Sequence, residues 1–149
     1  EVRFNLTLKV LRRFINPLRV AKAKEDAIVD RYIQELSIKT PSPEQLIGNL
    51  SGGNQQKVII ARWLATEPSV LILDEPTRGV DVGAKAEIYA IMNELAAKGV
   101  AIIMISSELP EIINMSDRVV VMGDGHVKGT LPREALSQEK IMFLATEGM

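Results

Sequence analysis

Cysteine is absent from the 149 residues, which excludes disulfides and thiolate metal sites and suits a reducing compartment. Aromatic residues make up 4% of the chain, and 18 basic against 19 acidic residues leave a net charge of −1. So few rings and so little net charge provide neither a stacking platform nor a phosphate-tracking field, and no nucleic acid partner is expected. Long apolar runs are missing as well. The longest, near Val100 to Ile105 and Val119 to Met122, fall far short of the roughly 20 residues that a membrane-spanning helix needs. Glu1 to Leu18 does not join a charged start to a continuous apolar stretch, so no signal peptide is expected.

What is present is 46% hydrophobic residues, enough for one core and one domain, with at most a small appended subdomain. Glu1 to Asn16 mixes apolar and basic residues, with Arg12 and Arg13 ahead of Pro17. From Arg19 to Leu36 the positions Val29, Tyr32, Ile33 and Leu36 recur at helical steps, and Pro41-Ser42-Pro43 is expected to stop that helix. A second helix is predicted from Gly52 to Ala65, with Val58, Ala61 and Leu64 or Ala65 inward and Pro68 turning the chain into a strand. A third, Val82 to Ala97, carries the cleanest apolar stripe, Ala84, Ile88, Ile91, Met92 and Leu95, and Gly99 closes it. The strand Val100 to Ile105 leads to a short helix near Leu109 to Asn114. Val119 to Met122 and His126 to Thr130 then flank Gly123-Asp124-Gly125 as a hairpin. His126, the only histidine, reads as a surface residue there. A last helix is expected from Arg133 to Ala145. Strands alternating with helices predict an α/β fold with a mostly parallel sheet.

Two segments carry chemistry. Leu50-Ser51-Gly52-Gly53-Asn54-Gln55-Gln56-Lys57 places a capping serine before two glycines, whose bare N–H groups and positive helix end suit an anion. The alternative is a plain N-cap with glycines for tight packing. Gln55, Gln56 and Lys57 read as helix-surface residues. The apolar run Val70-Leu71-Ile72-Leu73 then delivers Asp74 and Glu75 to the end of a buried strand, where a metal and a water can be held. The plainer reading is a strand ending at a polar turn. Asp81 fits an interface contact, the N-cap of the third helix, or both, and Arg78 an interface ion pair or a solvated turn.

In order and spacing these segments resemble the ATPases of ABC transporters: Leu50 to Lys57 the signature motif, Leu71 to Glu75 the Walker B strand, and Gly79-Val80-Asp81 the D-loop. Asn54, the run Pro76 to Asp81, and Ser106-Ser107-Glu108 are similar to the second cassette of bacterial monosaccharide-import ATPases. No Gly-x-x-x-x-Gly-Lys-Ser/Thr phosphate loop occurs in the chain, although that loop cradles the phosphates in this class. The resemblance therefore implies a partial P-loop NTPase fold without its phosphate-loop portion. Residues 1–49 would be part of the helical subdomain and a linker, and 50–149 the C-terminal part of the core. The chain would be a C-terminal fragment, with the glutamine loop lying before Glu1.

The implied ligands are ATP and Mg²⁺. Ser51, Gly52, Gly53 and Asn54 would face a γ-phosphate, Asp74 would serve Mg²⁺, Glu75 would orient or deprotonate the attacking water, and Asp81 and Ser107 would complete the nucleotide site. Two or three charge-assisted hydrogen bonds of about 1.5–3 kcal/mol each, less an association cost of at least about 4 kcal/mol, leave little net affinity. The signature helix would thus act as a lid on ATP held by another cassette's phosphate loop. Ser107 stands where the family usually places a histidine, and serine supplies no titratable imidazole. The Glu75 site would accordingly be slow or regulatory.

Implied partners are the other cassette of the parent chain, membrane permease subunits and, indirectly, a periplasmic sugar-binding protein, with the protein peripheral to the cytoplasmic face of the bacterial inner membrane. The fragment would be inactive alone. Losing the strand expected beside Val100 to Ile105 would bare an apolar edge, Ala101 to Ile105, through which the fragment would self-associate. A competing reading is a regulatory or dimerisation module of the same family that does not hydrolyse ATP. An ABC protein of DNA repair or translation is disfavoured by the import-type wording and the lack of basic or coiled-coil insertions.

Overall fold

Short local signals decide where each helix begins and ends in the computed structural model, which describes residues 1–16 and 19–146. Pro17 and Leu18, and the last three residues of the expected 50–149 part, lie outside the described residues. The element order is α1 (Val2–Thr7), β1 (Ile15–Asn16), β2 (Arg19–Val20), α2 (Lys22–Glu35), α3 (Gly52–Leu64), β3 (Val70–Asp74), α4 (Val82–Ala97), β4 (Ala101–Ile105), α5 (Leu109–Met115), β5 (Arg118–Gly123), β6 (His126–Pro132) and α6 (Gln138–Thr146). Two units emerge: Glu1–Ile72 with Pro76–Ile103, and Leu73–Glu75 with Met104–Met149.

In the first unit, α3 packs against α1 and α4, and α1 also packs against α2. Val2 and Leu6 of α1, Val29 and Tyr32 of α2, and Val58, Ile60 and Ala61 of α3 are buried there. Helix α1 is too short to announce itself by periodicity. It stands because loop carbonyls take its first N–H groups, Val2 N–H donating to Gln45 (2.9 Å) and Arg3 N–H to Pro43 (2.8 Å).

The expected stop of α2 at Pro41-Ser42-Pro43 is corrected. The helix ends at Glu35 because Ser37 turns left-handed at φ +48. Its N–H donates to the Gln34 carbonyl and that of Ile38 to Ile33, a Schellman closure completed before any proline is reached. The start is also later than expected, since Arg19 and Val20 form β2. Helix α4 closes by the same device at the expected glycine: Gly99, at φ +88, donates to Ala96, and Val100 to Leu95.

Two of the three strand pairs among the described residues, β1 with β2 and β5 with β6, are antiparallel. The expected mostly parallel sheet is therefore corrected: among the described residues only β3 and β4 run parallel. Ala101 N–H donates to the Ser69 carbonyl and Glu75 N–H to the Ile105 carbonyl, which matches start with start and end with end. Strand β3 is buried on one face only. Leu71 and Leu73 are inside, whereas Val70 and Ile72 are 50% and 63% exposed, so the run is not the fully buried strand expected.

In the second unit the hairpin forms as predicted, with Asp124 and Gly125 at positive φ as the two-residue turn, the geometry that matches strand twist. Val119 and Val121 pack with Ile141 of α6. That helix starts at Gln138, later than the expected Arg133, because Arg133–Ala135 form a 3₁₀ turn. Ser137 Oγ then accepts the Lys140 N–H at 3.2 Å.

Candidate functional site

Ser51 occupies the N-cap of α3 with the extended backbone of a cap, φ −60 and ψ 154, yet its side chain caps nothing. Its Oγ instead accepts from Asn54 Nδ2 at 2.8 Å, and Asn54 Oδ1 accepts the Lys39 N–H at 2.8 Å. With its oxygen engaged by Asn54, the Ser51 hydroxyl keeps its proton to donate. The first N–H groups of α3 are left without a side-chain cap, which is the arrangement an anion would use.

The two glycines have different reasons. Gly52 is exposed, and a Cβ there would meet nothing closer than the Gly79 carbonyl oxygen at 3.5 Å. Gly53 is buried, and a Cβ would come within 2.4 Å of Ala84 Cβ on α4. The packing explanation therefore holds for Gly53. Asp81 caps α4, its Oδ1 accepting the Ala84 N–H at 2.9 Å, so the capping role expected of it is present. Arg78 is exposed.

Lys57 corrects the sequence reading. It is 2% exposed, with Nζ 2.6 Å from Glu87 of α4 and 3.1 Å from the carbonyl of Ser37. The spacing Gly53, Lys57, Ile60, Ala61, Leu64 is one helical face, so the signal was there to be read. It was hidden by the usual exposure of lysine. The Lys57 hydrogen bond, and then its charge, hold the Glu87 carboxyl below the ordinary range.

The second group of candidates lies in the other unit. Asp74 is exposed at the end of β3 and Glu75 half-buried. Glu75 is left-handed at φ +47, which is costly for a residue with a side chain. It is held from both ends. Its N–H donates to Ile105, and its Oε1 accepts the Ser107 N–H at 2.9 Å. The residue in the expected histidine position thus does reach Glu75, through its main chain. Ser106 Oγ donates to the buried carboxylate of Glu111 and accepts the Glu108 N–H at 3.0 Å. The pairing of Ser106 with Glu111 is not legible in the sequence, because a serine and a glutamate five residues apart match no capping signature.

Among the described residues no group of three or more His, Asp or Glu side chains can hold a metal. Asp74 offers one exposed carboxylate, and Mg²⁺ commonly takes one or two carboxylates together with phosphate oxygens and waters. His126 is exposed, as expected. No helix of the described residues is long and apolar enough to cross a membrane.

Comparison with known proteins is consistent over nearly the whole chain. The chain is 56% identical over 142 residues to a ribose import ATP-binding protein of Clostridium perfringens, covering 95% of this chain and 28% of that one. It is 54% identical over 148 residues to the Bacillus subtilis counterpart (99% and 30%), and 61% over 119 residues to a xylose import ATP-binding protein of Thermoanaerobacter pseudethanolicus (80% and 24%). It therefore spans less than a third of the length of these relatives. Among solved structures, a nucleotide-free ATP-binding cassette of an ABC transporter superposes with TM-score 0.76 at 26% identity, over 96% of this chain and 61% of that one. A dimeric cassette in a post-hydrolysis state bound to ADP and Pi superposes with TM-score 0.75 at 20% identity (89% and 56%). The fold is accordingly that of an ABC ATPase cassette, covered in part. The family profile described as ABC transporter matches residues 2–78, more than half of the sequence, and the chain belongs to that family.

Proposed function

We propose that this chain is part of the ATP-binding subunit of a bacterial monosaccharide importer, and that the start of α3 closes over the terminal phosphate of ATP held by another cassette. The observation that carries this reading is the uncapped helix start, with the Ser51 hydroxyl held by Asn54 and facing no N–H of its own helix. Its support is the identity of 54–61% to ribose and xylose import proteins and the dimeric, ADP- and Pi-bound cassette among its structural neighbours. The division into a helical-subdomain part (1–49) and a core part (50–149) belongs to the same reading. So do the permease, the second cassette, the periplasmic sugar-binding protein and a peripheral place at the cytoplasmic face of the membrane.

In this reading Ser51, Gly52, Asn54 and the main-chain N–H of Gly53, whose Cα packs against Ala84, meet the γ-phosphate borne by the partner cassette, with Asp81 capping the helix that packs behind them. Asp74 is the residue that would hold Mg²⁺, which supplies charge neutralisation at the phosphates when bound. Glu75 orients the attacking water from a carboxylate fixed by the Ser107 amide. Because that amide cannot take up and return a proton as imidazole does, the Glu75 site turns over slowly, and the α3 lid serves the competent site.

The test is a pair of measurements. Calorimetric titration of this chain with Mg-ATP should show affinity no tighter than about millimolar, the level left by a few hydrogen bonds after the cost of association. Tight capture would overturn the lid assignment. In a protein of the relatives' length, Ser51→Ala should lower ATP turnover by roughly 10- to 100-fold, the worth of one charge-assisted hydrogen bond. Glu75→Gln should change turnover far less than the matching change in the first cassette. Equal losses would instead mean that Ser107 does not weaken the Glu75 site. A non-hydrolysing regulatory module is the second reading, favoured by the main-chain character of the Ser107 contact, and unchanged turnover in every variant of this cassette would select it.

A further inference from the structure

Glu111 is the buried carboxylate that the reading above does not use. It is 4% exposed and stands at the third position of α5, where a glutamate ordinarily reaches back to the N–H of the cap residue. Here the cap residue is Glu108, and its N–H goes instead to Ser106 Oγ at 3.0 Å, while the same hydroxyl donates to Glu111. A serine hydroxyl is thus inserted between the cap amide and the carboxylate. The insertion fixes the chain on both sides of residue 107. Ser106 is tied forward to Glu108 and Glu111, and the Ser107 N–H is left aimed at Glu75 Oε1, 2.9 Å away. Burying a carboxylate is costly unless its hydrogen bonds are satisfied, and an ordinary cap would need only the direct bond.

We propose that Ser106 and Glu111 are positioning residues for Glu75, acting through the main-chain N–H of Ser107. The inference rests on the assignment of Glu75 to the attacking water for its functional meaning, but its geometry is tested without nucleotide. The two can therefore fail separately.

The experiment is amide NMR on this chain, with Glu75→Gln marking the Ser107 amide proton shift when its acceptor is weakened. In Ser106→Ala the Ser107 amide should lose about tenfold of its exchange protection, the worth of one hydrogen bond, and its shift should move toward the Glu75→Gln position. Ser106→Thr, which keeps the hydroxyl, should restore both. The β5–β6 hairpin amides report whether the unit is folded. Should Ser106→Ala unfold it, Glu111→Gln decides, with the same shift expected at smaller size. A folded variant with the Ser107 shift and protection of the parent overturns the proposal. So does the same change in Asn114→Gly, which weakens the last turn of α5 at an exposed position without touching Ser106, because the effect would then be helix stability alone.

Discussion

At the scale of single residues, the two glycines at the start of α3 separate packing from ligand access. Gly53→Ala drives a methyl into Ala84, and overpacking of this kind should cost about 1–3 kcal/mol in urea unfolding. Gly52→Ala meets only ordinary contacts and should leave stability within about 0.5 kcal/mol, so any loss of turnover it causes in the full-length protein belongs to the phosphate. A Gly53→Ala variant as stable as the parent would contradict the close approach. The pair of Lys57 and Glu87 is asymmetric in the same informative way. Glu87→Ala strands a buried ammonium and should cost about 1–3 kcal/mol, whereas Lys57→Met leaves a half-exposed carboxylate in water and should cost less. The Glu87 carboxyl is held below its ordinary value of 4.5. A depressed carboxyl stabilises the fold above the unfolded value and loses that contribution as pH falls through the folded one. The stability difference between the parent and Glu87→Gln should therefore be full at neutral pH and shrink on acidification below about 4.5; a difference that grows in acid would refute the pair.

At the scale of elements, termini matter more than interiors. Helix α4 is framed by Asp81 at one end and Gly99 at the other, and both were legible because a capping carboxylate and a left-handed glycine are local chemistry. Asp81→Ala should cost about 1 kcal/mol, the usual worth of a lost N-cap. Gly99→Ala should cost a similar amount, about 1–2 kcal/mol, for forcing a side chain to φ > 0. Urea midpoints for both variants check this, and a neutral Asp81→Ala would show that its bond to the Ala84 N–H contributes nothing. The end of α2 is not legible in the sequence because Ser37, left-handed at φ +48, does the work expected of a glycine, and a serine gives no warning of such a turn. Beside the Schellman hydrogen bonds, the Ser37 carbonyl accepts from a partner distant in sequence, the Lys57 ammonium.

At the scale of the whole molecule, strands β3 and β4 are paired with each other and, among the described residues, with no other strand. The expectation of a uniformly bare edge from Ala101 to Ile105 is corrected in detail. Ala101, Ile103 and Ile105 are exposed, but Ile102 and Met104 are half-buried, because alternate strand residues point to opposite faces. Val70, Ile72 and Ile103 remain large exposed apolar groups, and an open, apolar strand pair recruits further chains. Light scattering after size exclusion should find dimers or larger species at high concentration, and a clean monomer would remove this prediction. By itself the sequence determined the periodic helices, the hairpin turn, the order of the motifs and the family they point to, because each depends on neighbours within a few residues. Tertiary structure alone decided that Lys57 is interior, that Gly53 answers to Ala84, that Ser51 spends its oxygen on Asn54, and that Glu75 is held by the Ser107 amide. Each of those facts depends on which groups folding brings into contact, and on whether a polar group finds its partner there or in water.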